Sequence, residues 1–328
     1  MKQVKKYIVH MQAKMQKKWT KYAFTALKAS VTIGGILYIF NKIPFSETIK
    51  YWTATAIPWM ALSLVLITVF MLIQANRWRG LLLDEGKKIP LRSFYAYIAL
   101  GYFFNNLLPS GFGGDAVKTI AFGKRFGNTV NSIAAIVVSR VMGLIAMFLC
   151  FFFALPFIAH KYSIPAVYTI TVSVVALASI AIIVGGLFLD KIRVPGALTS
   201  RFPFIVKLQE AFAIYRNHKK AFFLSGLDSI WLQLIIIVIQ YAYFRAVDVN
   251  VDIFVLTVFS TIMVTFTMLP ISINGIGIRE SVQISLYTGL LGIPAEIVLA
   301  STLLSYIPLL FEAAQGAVVF LFLKGKNP

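Results

Sequence analysis

The chain has 328 residues, of which 59% are hydrophobic and only 13% are charged, whereas soluble domains contain about 25% charged residues. A water-soluble domain cannot bury this much apolar surface, so the composition predicts an all-α polytopic membrane protein with helices of about 20 residues. The formal net charge of +19 could indicate nucleic-acid binding. However, the basic residues lie in short stretches between apolar segments. This pattern indicates a role in membrane topology and no nucleic-acid partner.

Nine apolar segments follow one another along the chain. They fall at about 22–40, 57–76, 94–108, 129–159, 166–189, 221–244, 253–268, 278–292 and 295–323. Most can cross a hydrocarbon layer of about 30 Å. Three of them, 94–108, 253–268 and 278–292, have only about 15 residues, which predicts broken or re-entrant helices. The basic segment 1–21 lacks the features of a cleavable signal peptide.

The distribution of lysine and arginine predicts the orientation. Alternate connections and the two ends hold 24 of these residues, and the intervening connections hold four. The positive-inside rule therefore predicts that both termini are cytoplasmic. Residues 77–92 and 190–220 are predicted to face the cytoplasm, and 41–56 and 160–165 to lie outside. The 190–220 loop favours an amphipathic surface helix on the inner leaflet, and a solvated linker is the alternative.

Two similar motifs suggest an internal repeat. Residues 108–115 and 269–280 each contain a Leu-Pro, a polar turn, glycines and then ionisable residues that open a new helix. The charge distribution predicts that the short segments before them, 94–108 and 253–268, enter the membrane from opposite sides. We therefore predict one transmembrane domain, 1–328, made of two inverted repeats, 1–160 and 161–328. Transporters with such repeats place their substrate site near the midplane. Chance similarity of two Gly/Pro turns is the alternative.

Several charged residues lie within or beside the apolar segments, where a charge costs about 2.5–3.5 kcal/mol at the bilayer centre. They must therefore face one another or a wet cavity. Arg140 can pair with Asp115, and Arg279 with Glu312, but spacing does not decide this. A guanidinium binds phosphate bidentately, and exposed N–H groups at a helix start favour an anion. Structural ion pairs and packing turns without a ligand are the alternatives.

We expect the two glycine turns to meet near the midplane, with Arg140, Arg279 and Glu280 lining one polar cavity. The candidate residues for binding a lipid headgroup are Asn105, Asn106, Gly111, Gly113, Gly114, Asp115, Lys118, Arg140, Gly275, Gly277, Arg279, Glu280 and Glu312. We expect no catalytic residue, metal site or cofactor.

Residues 105–115, Lys118, 139–144 and 269–280 resemble the lysylphosphatidylglycerol synthase transmembrane family. This is the flippase-like membrane domain of the multiple peptide resistance factor. The resemblance implies a prokaryotic inner-membrane protein, transport of lysyl-phosphatidylglycerol or a related lipid, and a link to antibiotic resistance. This chain has Lys118 where the family often has arginine.

A second departure lies at Ser305-Tyr306, near a position where the family often has a basic residue. In full-length members the aminoacyl-transferase domain lies beyond the membrane domain. We expect no such domain within 328 residues and hence no lysyltransferase activity.

These observations favour a flippase-like transporter that moves an anionic or aminoacylated phospholipid, or a lipid-linked glycan, between leaflets. One alternative is a non-transporting scaffold for a separate lipid synthase. Another is a membrane-embedded transferase with Asp115 or Glu280 as its carboxylate. The expected partners are membrane lipids with anionic headgroups and a separate synthase or glycosyltransferase. A homo-oligomer is compatible with the sequence.

Overall fold

A computed structural model describes residues 26, 28, 30–107, 113–127, 129–188, 215, 218–269 and 272–324. Within these residues all regular structure is helical, and no strand occurs. The all-α fold is therefore confirmed. The basic segment 1–21, Gly111 and nearly all of the 190–220 loop lie outside the described residues.

The helices follow the apolar segments of the sequence closely. In chain order they are α1 (30–42), α2 (Phe45–Ile49), α3 (Ala56–Leu81), α4 (Leu83–Lys87), α5 (Leu91–Leu107), α6 (Gly113–Phe126), α7 (Thr129–Ala159), α8 (Ala166–Phe188), α9 (Lys219–Arg245), α10 (Ile253–Met268), α11 (Ile278–Gln283), α12 (Ala295–Leu304) and α13 (Tyr306–Lys324).

Four stretches of the described chain are long and apolar enough to cross a membrane: Ala56–Leu81, Asn131–Ala159, Lys219–Arg245 and Ala295–Leu323. Their outward faces remain apolar, as at Phe153, which is 68% exposed. Such surfaces are unfavourable in water and suit contact with lipid tails. The polytopic membrane class is therefore confirmed.

Contacts along α3 fix the directions of its two neighbours. The rings of Trp78 and Phe94 lie 5.4 Å apart, and Gln74 donates a hydrogen bond of 2.9 Å to the Tyr102 hydroxyl. The residue earlier in α3, Gln74, contacts the residue later in α5, Tyr102. These two helices are therefore antiparallel.

The same holds for α3 and α9. Thr55 hydrogen-bonds Asp248, just past the end of α9, at 3.1 Å, and Arg77 hydrogen-bonds Ser229, in the first half of α9, at 2.7 Å. A connection of a few residues returns the chain from α9 into α10, which packs back along α9. The short helices α5 and α10 therefore run in opposite directions, as the charge bias predicted.

The length of segment 278–292 predicts a broken or re-entrant helix, but the segment is continuously helical from Ile278 to Leu291 and contains a π-helical turn. This turn, Ile284–Thr288, follows α11, and Gly292 then turns the chain with φ of 71°. A break at Ser305, between α12 and α13, divides the predicted segment 295–323. Pro308 has no N–H to bond the carbonyl of Leu304 and its ring crowds that carbonyl, which accounts for the break.

Aromatic packing holds the hairpin formed by α5 and α6. The ring of Phe122, which is fully buried, lies 4.7 Å from Trp78 and 4.9 Å from Phe94. On the other side of α5, a Cβ on Gly316 would overlap the carbonyl oxygen of Ala99, so α13 approaches α5 backbone to backbone. The hairpin is thereby fixed between α3 and α13.

Candidate functional site

Asn105, at the end of α5, closes the turn into α6. Its side-chain Oδ1 accepts a hydrogen bond of 2.8 Å from the backbone N–H of Gly114. A Cβ on Gly114 would overlap the carbonyl oxygen of Gly101 and the Asn105 amide. Only glycine permits this approach. Gly113 is the first residue of α6, and the adjacent 108–112 lies outside the described residues.

Asp115 is the centre of an ion-paired group at the start of α6. Lys118 Nζ lies 2.6 Å from its Oδ1, and both Nε and an Nη of Arg140 contact its Oδ2. The Asp115 and Lys118 side chains are only 14% and 12% exposed. Lys118 also lies 5.8 Å from the centroid of the Trp78 ring. The pair of Arg140 with Asp115, which spacing left open, is therefore present.

Arg77 is a third cation near this group, and sequence analysis missed it as a site residue. We had assigned it to the cytoplasmic connection 77–92, but α3 continues to Leu81, so Arg77 lies within the helix. One of its Nη atoms donates a hydrogen bond of 2.7 Å to Ser229. Its buried Nε has no hydrogen-bond partner. The sequence signal at this position, a basic residue at the end of an apolar segment, does not distinguish a topology anchor from a cavity residue.

These groups line one cavity of about 510 Å³ among α3, α5, α6, α7, α9 and α10, hereafter the large cavity. Its described lining contains Arg77, Lys118 and Arg140 but one carboxylate, that of Asp115. Most of the remaining wall is apolar. The polar side chains that complete it are Gln74, Tyr102, Asn105, Ser139, Ser229, Gln233 and Ser260. The large cavity therefore has an excess of positive charge.

The second glycine motif forms a tight turn before α11. Gly275 and Gly277 have φ of 75° and 84°, a region that favours glycine. Both oxygens of the buried Glu280 are used within the protein: Oε2 accepts from the Gly277 N–H at 2.7 Å, and Oε1 accepts from the Tyr306 hydroxyl at 2.7 Å. Glu280 acts here as a capping carboxylate.

The two motifs are in direct contact. Asn274 Nδ2 donates a hydrogen bond of 3.1 Å to the backbone oxygen of Asn105. The adjacent Ile273 N–H donates to Thr32 Oγ1 of α1 at 2.9 Å. Asn105 therefore contacts both motifs. Its side chain accepts a hydrogen bond from the first motif, and its backbone oxygen accepts one from the second. The neighbouring Asn106 donates a hydrogen bond of 3.0 Å from Nδ2 to the backbone oxygen of Tyr102, in the same helix.

Arg279 and Glu312 line a second cavity of about 190 Å³, hereafter the small cavity. Among the described residues, no ion pair joins them. An Nη of Arg279 lies 3.4 Å from Ser305 Oγ, and its guanidinium lies 5.3 Å from the centroid of the Tyr306 ring. Ile236 of α9 lines both cavities.

The structure thus divides the candidate residues into three groups. Asn105, Asp115, Lys118 and Arg140 line the large cavity, and Arg279 and Glu312 line the small one. The remaining described candidates belong to the turns and helix ends: Asn106, Gly113, Gly114, Gly275, Gly277 and Glu280.

Comparison with known families gives one clear result. A family model described as the lysylphosphatidylglycerol synthase TM region matches residues 25–309, which include both glycine motifs and the lining residues of both cavities except Glu312. A search of curated proteins and a search of solved structures returned no significant match.

Proposed function

This chain belongs to the lysylphosphatidylglycerol synthase transmembrane family, and we propose that it moves a phospholipid between the two leaflets of the membrane. The lipid carries an anionic or aminoacylated headgroup, or a phosphate-linked glycan. In this proposal the headgroup enters the large cavity while the acyl tails stay in the bilayer.

The observation that carries the proposal is the charge of the large cavity. Asp115 compensates part of the charge of Lys118 and Arg140. Arg77 donates to the Ser229 hydroxyl, has an unused buried N–H, and interacts electrostatically with Asp228 of α9, which does not line the cavity. The three cations therefore still outnumber the two nearby carboxylates. A buried cation is costly unless it is paired. A lipid phosphate supplies the missing negative charge, and guanidinium groups bind it with directional hydrogen bonds.

We further propose that halves 1–160 and 161–328 are inverted repeats that provide alternating access to the large cavity. The opposite directions of α5 and α10 support this proposal, as does the hydrogen bond between the two motifs. A turn in one half that moves would pull on the backbone of the other through Asn274 and Asn105. No covalent step is required, because moving a headgroup across the bilayer breaks no bond.

Reconstitution tests the proposal through Arg77→Gln, which removes a cavity cation without breaking the Asp115 ion pairs. Fluorescent phosphatidylglycerol in proteoliposomes is followed by chemical quenching of the outer leaflet. We expect translocation to fall about tenfold or more, since one charged hydrogen bond is worth about 1.5–3 kcal/mol. Arg77→Lys should retain part of the rate, because a point charge lacks the planar fork.

The matched control is Arg92→Gln, at an exposed arginine of α5 that does not line the large cavity. It should translocate lipid at the rate of the unmodified protein. If the unmodified protein does not move lipid faster than empty vesicles do, the transport proposal is wrong. A scaffold for a lipid synthase is then the better interpretation. If both glutamine variants transport equally, the headgroup site is not the large cavity.

A further inference from the structure

We propose that Glu312, in the small cavity, is a proton-binding site whose protonation is coupled to lipid movement. This proposal deepens the proposed function and rests on it. Glu312 lies within the candidate membrane span Ala295–Leu323 and is only 6% exposed. Its carboxylate lines the small cavity, and within the described chain no hydrogen bond or ion pair occupies it.

The energetic argument concerns a charge that has no direct partner. The carboxylates of the two glycine motifs have direct partners: Asp115 has two cations, and Glu280 has two hydrogen-bond donors. An intramembrane carboxylate without such partners is costly while it is ionised, and binding a proton removes the charge. A group that serves only to hold helices together would be expected to have its partners in place.

The surroundings of Glu312 suit two protonation states. The charged or titratable side chains that act on it come from three neighbouring elements: Arg279 of α11, Tyr243 of α9, and Tyr95 and Tyr102 of α5. From α3 the small cavity receives the apolar Ile67. Arg279 shares the cavity and can attract the ionised carboxylate. The cavity is also large enough for water, which needs about 10–15 Å³, so a water molecule fits beside the carboxylate as a proton donor or acceptor.

The coupling route follows from the position of the small cavity. Ile236 separates it from the large cavity. Gln283 also lines the small cavity and accepts a hydrogen bond of 2.6 Å from Thr302. It is the last residue of α11, the helix that begins directly after the second glycine motif. A change of charge at Glu312 therefore acts on Arg279 and on the turn that contacts Asn105. Uptake of one proton from one side and its release to the other would supply a driving force for lipid movement.

Infrared difference spectroscopy tests the proton site without requiring transport. Raising the pH of the purified protein from mildly acidic values, where exposed carboxyls are already ionised, to alkaline values should remove a protonated-carboxyl band that Glu312→Gln lacks. The matched control, Glu296→Gln, alters a carboxylate of α12 that does not line the small cavity, and it should keep the band. If the unmodified protein and Glu312→Gln show identical difference spectra, Glu312 does not bind a proton and the proposal is overturned.

Proteoliposomes test the coupling. A gradient of one pH unit can support up to about a tenfold difference in lipid between leaflets if one proton moves per lipid. We expect this gradient-driven asymmetry with fluorescent phosphatidylglycerol in the unmodified protein and in Glu296→Gln, and its loss in Glu312→Gln. Translocation that is equal with and without a gradient in the unmodified protein overturns the coupling but leaves transport intact. If Glu312→Gln does not fold, Glu312→Asp should retain the gradient response, because it retains the carboxylate.

Discussion

Gly114 determines how closely α5 and α6 approach. An added Cβ there would overlap the Gly101 carbonyl and the Asn105 side chain, and neither backbone can yield without opening the hairpin. We predict that Gly114→Ala destabilises the fold by about 1–3 kcal/mol or more, as overpacking does in tight cores. The measurement is thermal unfolding in detergent. The Asp115 group should be displaced as well, so lipid translocation should fall.

Gly226→Ala is the control for this prediction. Gly226 lies within α9, and nothing would lie within 4 Å of an added Cβ. Alanine is a better helix former than glycine by about 1 kcal/mol, so this variant should be as stable as the unmodified protein or more so. If Gly114→Ala unfolds at the same temperature as Gly226→Ala, the two helices are less closely packed than the structure indicates.

The sequence alone predicts some of these residues well and others poorly. Asp115, Lys118 and Arg140 could be singled out because charges within or beside apolar segments are costly unless they face one another or a wet cavity. Arg77 could not, because a cation at the end of an apolar run looks the same whether it anchors topology or faces a cavity. Glu280 shows the opposite problem. Its position three residues after Gly277 is typical of a capping carboxylate, yet its charge alone suggested a ligand role.

The contact between the two glycine motifs depends on Asn274, which has φ of 51° and donates to Asn105. Two substitutions separate these properties. Asn274→Gly removes the hydrogen bond and keeps the backbone conformation, so it should cost about 0.5–1.5 kcal/mol of folding free energy. Asn274→Ala removes the bond and adds the strain of a left-handed residue, about 1–2 kcal/mol more.

Chemical denaturation of the two variants measures this difference. If the glycine variant is the less stable of the two, the backbone strain at Asn274 is not the larger effect and the assigned turn is wrong. In proteoliposomes both variants should lower lipid translocation, because each breaks the link between the two halves. Equal transport by both variants and the unmodified protein would leave the link without a functional role.

Helix positions were more predictable than helix breaks. Hydropathy located α3, α7, α9 and α10 within a few residues, because an apolar run of the right length has few other stable arrangements in a membrane. The break at Ser305 escaped notice, since Pro308 lies in an apolar run and proline in a transmembrane helix often causes only a kink. The π-helical turn at 284–288 has no comparable sequence signal.

At the scale of the whole molecule, two independent observations agree. The contacts of α3 with α5 and α9 make α5 and α10 antiparallel, and the basic residues predict opposite membrane crossings for the same two helices. The contacts say nothing about which side is cytoplasmic. That information resides only in the charges, because the positive-inside rule acts on insertion and not on packing.

The last prediction concerns this orientation. Lys50 and Lys87 are exposed residues on either side of α3, whose 26 residues span about 39 Å at 1.5 Å per residue, more than a hydrocarbon layer of about 30 Å. In a Cys150→Ala background, we expect an impermeant maleimide to label Lys50→Cys from outside intact cells and Lys87→Cys only after permeabilisation. Neither change should disturb folding, since exposed ion pairs contribute little.

Lys161→Cys, in the exposed connection between α7 and α8, provides an independent readout of the same side. Like Lys50→Cys, it should be labelled from outside intact cells. If the α5–α6 hairpin returns to the side it entered, only α3 and α7 cross the membrane between the two positions, so both lie on the same side. Labelling of Lys87→Cys in intact cells would reverse the orientation. Labelling of Lys50→Cys but not Lys161→Cys would keep the orientation of α3 and show that the α5–α6 hairpin crosses the membrane instead of returning.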